Sequence, residues 1–298
     1  MPDYRRYLSA EVVSQLASLD LVARLVVEGF ITGLHQSPYH GFSVEFAEHR
    51  QYMPGDPLGD IDWKAYAKSD RLYVKEYEEE TNLKAYILLD CSGSMGFLSG
   101  GSVSKFDYAS YLAAALTYLM LRQRDAVGLV TFAAGIRRYI PPKSVRSHLS
   151  VVLKELEASE VSAQTRVAQT FHELAERISR RGLIIVISDL LDDPEEVLMG
   201  LKHFRHKGHE VLVFHVLDPR EKDFGFGDEA RFVDLETREE VITQPWHIKR
   251  AYETLMIQMM NQYQRGCRES RIDYVAMDTS QHFGTALLRY LAKRKRLG

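Results

Sequence analysis

Asp90-Cys91-Ser92-Gly93-Ser94 sets one carboxylate and two hydroxyls at alternate positions, and a third hydroxyl, Thr165, and a second carboxylate, Asp189, follow downstream. All five donors are oxygens. An oxygen-only set selects hard cations over zinc, which prefers thiolate and imidazole. The expected ion is Mg²⁺, with Mn²⁺ or Ca²⁺ as alternatives. Because Mg²⁺ keeps several waters and takes few direct carboxylates, the hydroxyls of Ser92, Ser94 and Thr165 are the expected direct ligands. Asp90 and Asp189 then orient those hydroxyls and the surrounding waters from behind. Neutral direct ligands leave the ion electrophilic and ready to accept a carboxylate from outside. That is a binding device rather than a catalytic one.

Such residues meet only if the chain brings them to one edge of one sheet. From Tyr86 onward, short apolar strands alternate with helices: strands at 86–89, 127–132, 138–140, 182–188, 211–216 and 272–277, helices at 106–122, 145–157, 166–179, 195–205, 246–268 and 285–295. Gly208 follows the fourth of these helices as its expected C′ residue. The alternation predicts an α/β fold, a doubly wound and mostly parallel sheet covered on both faces. In such sheets ligands gather outside the carboxyl ends of strands, where the strand order reverses. Asp90 closes the first strand, Asp189 follows the strand predicted beside it, and Thr165 precedes a helix that starts from the same edge. A hairpin, 231–235 with 239–243, is expected as an insertion within 219–245.

Residues 1–84 read differently. They suggest a helix at 10–30, a loop rich in Gly, Pro, Ser and His at 33–41, a Pro54-Gly55-Asp56 turn, and extended pieces at 42–46, 61–63 and 72–77. The expected organisation is therefore a helix-and-strand extension, 1–84, packed on a main domain, 85–298.

Composition bounds the function. With 298 residues, 45% apolar and 27% charged, and a formal net charge of −3, the chain can bury a full core. Disorder is excluded, and the balance argues against a nucleic-acid binder, whose footprint is basic. Two cysteines exclude a disulfide-stapled module. No apolar run reaches the roughly 20 residues of a membrane span, and no signal peptide marks Met1, so no membrane insertion and a cytoplasmic location are expected. The P-loop, the dinucleotide fingerprint and the Ser nucleophile elbow are all missing. Ser92 also stands where an aspartyl phosphatase needs its general acid. The expectation is a non-enzymatic module. Its alternatives are a metal-dependent hydrolase using the same cation and a structural scaffold with an empty site. His203, His206 and His209 read as a helix end favoured by its dipole rather than a zinc set. Cys91 reads as a small buried residue.

Asp90-x-Ser92-x-Ser94, with Thr165 and Asp189, resembles the metal-ion-dependent adhesion site of von Willebrand factor type A domains. Upstream, Glu45-Phe46, Arg50-x-Tyr52-x-Pro54-Gly55-Asp56, Ile61-Asp62-Trp63, Leu72-x-Val74 and Glu76-x-Glu78-x-Glu80 resemble the bacterial "domain of unknown function 58" family. Downstream, Gly208-His209-Glu210-Val211, Leu217-Asp218-Pro219 and Phe232-x-Asp234-x-Glu236-Thr237 are similar to it too. Where the family has Gly-Gly before the threonine, this chain has Ala163-Gln164. The resemblance implies a type A-like domain behind an N-terminal segment, with a divalent cation at the five oxygen donors. It further implies an adaptor or co-chaperone role with a MoxR-type AAA+ ATPase, the ATPase or its client offering an acidic side chain.

Overall fold

The structure, a computed structural model, describes residues 20–24, 26–27, 50–51, 73–74, 83–99, 103–161, 166–226, 230–233 and 240–295. In chain order the strands are β1 (Arg50–Gln51), β2 (Tyr73–Val74), β3 (Lys84–Asp90), β4 (Ala126–Phe132), β5 (Ile136–Lys143), β6 (Leu183–Ser188), β7 (Glu210–Leu217), β8 (Ala230–Val233), β9 (Glu240–Thr243) and β10 (Asp273–Asp278). After a helical stretch at 20–24 and 26–27, the helices are α1 (Lys105–Arg122), α2 (His148–Ala158), α3 (Val167–Arg177), α4 (Pro194–His206), α5 (Pro219–Asp223), α6 (Pro245–Glu269) and α7 (Gly284–Lys295).

Six strands form one sheet in the order β10-β7-β6-β3-β4-β5, parallel except where β5 pairs antiparallel with β4. This is the doubly wound α/β class. The apolar runs of β3, β6 and β7 are buried almost throughout, as parallel strands covered on both faces must be. Side chains alternate between the faces. Ala85, Ile87 and Leu89 of β3 enter a core with α1, α2, α7 and Val22, Ala23, Val26 and Val27, while Tyr86 and Leu88 enter a second core with α3, α4 and α6. Of the first 82 residues, β1 and β2 form a separate antiparallel pair. The turn at 54–56 and the extended pieces at 42–46 and 61–63 lie outside the described residues.

Two elements differ from the sequence expectation. β5 runs well beyond 138–140 and includes Pro141 and Pro142, which an edge strand tolerates because one side of its ladder needs no donor. The short helix α5, where no helix is expected, starts on a capping box. Asp218 accepts the Arg220 N–H at 2.9 Å, and the Asp218 N–H donates to Glu221 Oε2 at 2.8 Å. Gly208 ends α4 at φ 85°, in the left-handed region, as its glycine predicts.

α1 begins on a second capping box. Ser104 Oγ accepts the Asp107 N–H at 3.1 Å, and Asp107 Oδ2 accepts the Ser104 N–H at 3.3 Å. Its loss strands one amide of the first turn, so Ser104→Ala should cost about 1 kcal/mol of stability in urea unfolding. An unchanged midpoint would show that this cap does not fix the start of α1.

Candidate metal centre

β3 lies between β4 and β6, and the connections from it wind first toward β4 and later back to β6. The order therefore reverses at the adjacent carboxyl ends of β3 and β6, where an open α/β sheet collects its ligands. Asp90 ends β3 and Asp189 follows β6. Asp90 is fully buried and fixed at both oxygens: Oδ1 accepts the Ser92 N–H at 2.8 Å and Oδ2 the Ser188 hydroxyl at 2.5 Å. Ser188 Oγ in turn accepts the Leu190 N–H at 2.9 Å. Leu190 is itself left-handed, at φ 50°, and its carbonyl takes the Tyr263 hydroxyl at 2.8 Å. A non-glycine residue in that region carries about 1 kcal/mol of strain. These bonds hold it there, so the chain turns sharply straight after Asp189.

A 3₁₀ turn, Gly93–Gly96, follows β3 and brings the Ser92 and Ser94 hydroxyl oxygens to 3.1 Å of each other. Ser94 also hydrogen-bonds Asp189. Four of the five expected site residues, Asp90, Ser92, Ser94 and Asp189, thus meet at one edge, while Thr165 lies outside the described residues. The two hydroxyls fit a magnesium centre. Neighbouring ligands of an octahedral Mg²⁺, with bonds of about 2.1 Å, stand about 3 Å apart, which is the spacing these oxygens already have.

The structure adds a residue that the motif does not contain. Lys105, the first residue of α1, is fully buried, and its ammonium lies 2.8 Å from Asp189 Oδ2 and 2.5 Å from Glu221 Oε1. The ring of Phe97 stands 5.9 Å from the same nitrogen. Glu221 does two jobs, because its other oxygen closes the cap of α5. α5 is fixed in turn by Phe224 at its end, which packs on Phe226, Phe232 of β8 and Tyr252 of α6. The inserted hairpin thereby holds Glu221 over the site.

Electrostatics follow from this crowding. Burial, reinforced by the charge of Asp189, pushes the Asp90 carboxyl up to about 7. Burial also opposes the charge on Asp189, but the Lys105 ammonium and the Ser94 hydroxyl outweigh it and hold Asp189 below the usual carboxylate range. Burial raises Glu221, with Lys105 offsetting part of the rise. Asp189 and Glu221 therefore share one ammonium, and Asp90 lies beside Asp189 with no cation of its own among the described residues. The edge is short of positive charge, and that favours a cation.

The remaining expectations fall into place as structure. Burial pushes the Cys91 thiol up to about 12, which leaves it no nucleophilic character. His203 lies 2.9 Å from Glu176 and 3.1 Å from the His172 ring, whereas His209 is buried and bonded to the Ile178 carbonyl at 3.1 Å. The three histidines do not converge. Lys293 of α7 is buried and paired with Glu210 at 2.6 Å and Asp273 at 3.0 Å. Among the described residues no helix is long and apolar enough to cross a membrane.

Strand order defines the class: a doubly wound α/β domain, with the Asp90-x-Ser92-x-Ser94 segment at its switch point. The chain belongs to the family described as protein of unknown function DUF58, whose model matches residues 48–262. It is 26% identical over 214 residues to the uncharacterized protein Rv1480 of Mycobacterium tuberculosis, spanning 71% of this chain and 67% of that one. Among solved structures, BatB from Bacteroides thetaiotaomicron aligns at 19% identity and a TM-score of 0.46, over 71% of this chain and 99% of that one. The SpRpn10 VWA domain aligns at 10% identity and a TM-score of 0.42, over 72% and 96%.

Proposed function

We propose that this chain is a non-enzymatic protein-recognition module of the cytoplasm, in which Ser92, Ser94 and Thr165 hold a divalent cation and Asp90 and Asp189 orient that set. The observation that carries the reading is the pair of hydroxyl oxygens 3.1 Å apart above two buried aspartates. When bound, Mg²⁺ supplies a vacant coordination position for an outside carboxylate. The chain's own residues do the rest. Asp90 keeps Ser92 in place through its amide, Ser188 keeps Asp90 in place, and Ser94 links the turn to Asp189. The partner class is a protein that presents an exposed Asp or Glu, and the family resemblance points to a MoxR-type AAA+ ATPase or a client handed to it.

The test is co-purification of such an ATPase, from the same organism, with the full chain. Capture in MgCl₂ should vanish in EDTA and in Ser92→Ala/Ser94→Ala, a change that removes two hydroxyls while leaving the buried aspartates and Lys105 untouched. Capture that persists unchanged in both conditions would overturn the metal-bridged mechanism.

A further inference from the structure

We propose that Lys105 is a tethered cation with two seats, Asp189 and Glu221, and that it sets the affinity of the motif for a divalent ion by competing for Asp189. This rests on the reading above, that Ser92 and Ser94 hold such an ion.

The geometry argues for two seats rather than one. The ammonium touches Asp189 Oδ2 at 2.8 Å and Glu221 Oε1 at 2.5 Å at once. It sits on a four-carbon stem that can swing between them. The seats themselves are rigid. Asp189 is tied to Ser94 and to the Leu191 N–H, at 3.3 Å. Glu221 is tied by its second oxygen to the Asp218 N–H, at 2.8 Å, and α5 is pinned by the Phe224 cluster. Ser99 ties the loop after the 3₁₀ turn to Asp218, its amide donating to Asp218 Oδ2 at 3.2 Å. The ammonium is thus the movable part among fixed carboxylates. With Asp189 neutralised by the ammonium, the motif presents less negative charge to an ion. With the ammonium wholly on Glu221, the charge of Asp189 is returned to the motif. Glu221 is therefore a fallback seat, and removing it should trap Lys105 on Asp189.

Lys105 and Glu221 variants should then shift affinity in opposite directions. The experiment is calorimetric titration of MgCl₂ into the full chain, as wild type and as Lys105→Met, Lys105→Gln and Glu221→Gln, with thermal unfolding midpoints measured in EDTA and in Mg²⁺. We expect both Lys105 variants to bind about tenfold more tightly than wild type and Glu221→Gln about fivefold more weakly, within the usual range of coupling between two sites. The Lys105 variants should also gain more in midpoint from Mg²⁺ than the wild type does. Wild-type binding with equal or weaker binding by the folded Lys105 variants would overturn the competition and leave the metal site standing. Heat from no variant, with all of them folded, would overturn the metal site along with it. Should both Lys105 variants fail to fold, Glu221→Gln decides: weaker binding supports the fallback seat, and unchanged or tighter binding overturns it.

Discussion

Lys105→Ala should lower stability by about 4 kcal/mol in divalent-free buffer, whereas Asp189→Ala should cost no more than about half of that. Breaking a buried ion pair by removing one partner typically costs 3–5 kcal/mol, because the other charge is left uncompensated. The two ends of this pair are not equivalent. Loss of the ammonium strands Asp189 and Glu221 together, both largely withdrawn from water, with Asp189 also beside the buried Asp90. Loss of Asp189 leaves Lys105 still paired with Glu221 at 2.5 Å, and it also relieves the repulsion that raises Asp90. Because the residues share one network, the double variant should cost clearly less than the sum of the single ones. Urea unfolding of the three variants checks this. Equal losses for Lys105→Ala and Asp189→Ala would mean that Glu221 does not hold the ammonium.

The sheet and half of this site are legible in the sequence for a simple reason. Parallel strands buried on both faces are apolar runs, and β3, β6 and β7 stand out as such. Asp90, Ser92 and Ser94 declare themselves by spacing, and Asp189 by following the most apolar strand. Lys105 and Glu221 do not, because charged residues are ordinarily solvated and their partnership spans 116 positions. Signals for each exist nonetheless. Lys105 stands three, four and seven positions before Tyr108, Ala109 and Leu112, on the stripe of α1 that faces the core, where a lysine calls for a buried partner. Asp218-Pro219-Arg220-Glu221 carries the capping-box spacing with proline at the first helical position, which marks a helix start. What no local pattern discloses is that Glu221 turns its second oxygen toward α1.

The inserted hairpin has a role in this light. A five-residue helix such as α5 has little stability alone, yet it carries Glu221 toward the site and Lys222 to Asp278, at 3.0 Å. Stacking of Phe224 on Phe232 and Tyr252 supplies the missing anchorage from β8 and α6. The insertion thus acts on the switch point through α5.

Acidification should reveal a second buried device beneath the same edge. His215 of β7 is fully buried, with Nδ1 2.6 Å from the Tyr274 hydroxyl and its ring 5.6 Å from that of Tyr263. Burial pushes its pKa down to about 4, with Asp189 opposing that shift and Lys105 adding to it. In the unfolded chain the ring returns to about 6.5. Between those two values the unfolded state binds more protons than the folded state, so stability is full above pH 6.5 and falls as the pH drops toward 4. From pH 7 to pH 4.5 this one group removes roughly 2 kcal/mol. His215→Phe keeps an aromatic ring in the space and cannot take up a proton. Its lost contact with Tyr274 is a cost at both pH values and cancels in the comparison, as do the carboxylates common to both chains. Urea unfolding at the two pH values should therefore show the wild type losing about 2 kcal/mol more than the variant. Parallel losses would mean that the imidazole is protonated in the folded protein, and that the apolar floor of β7 under Asp189 is not dry.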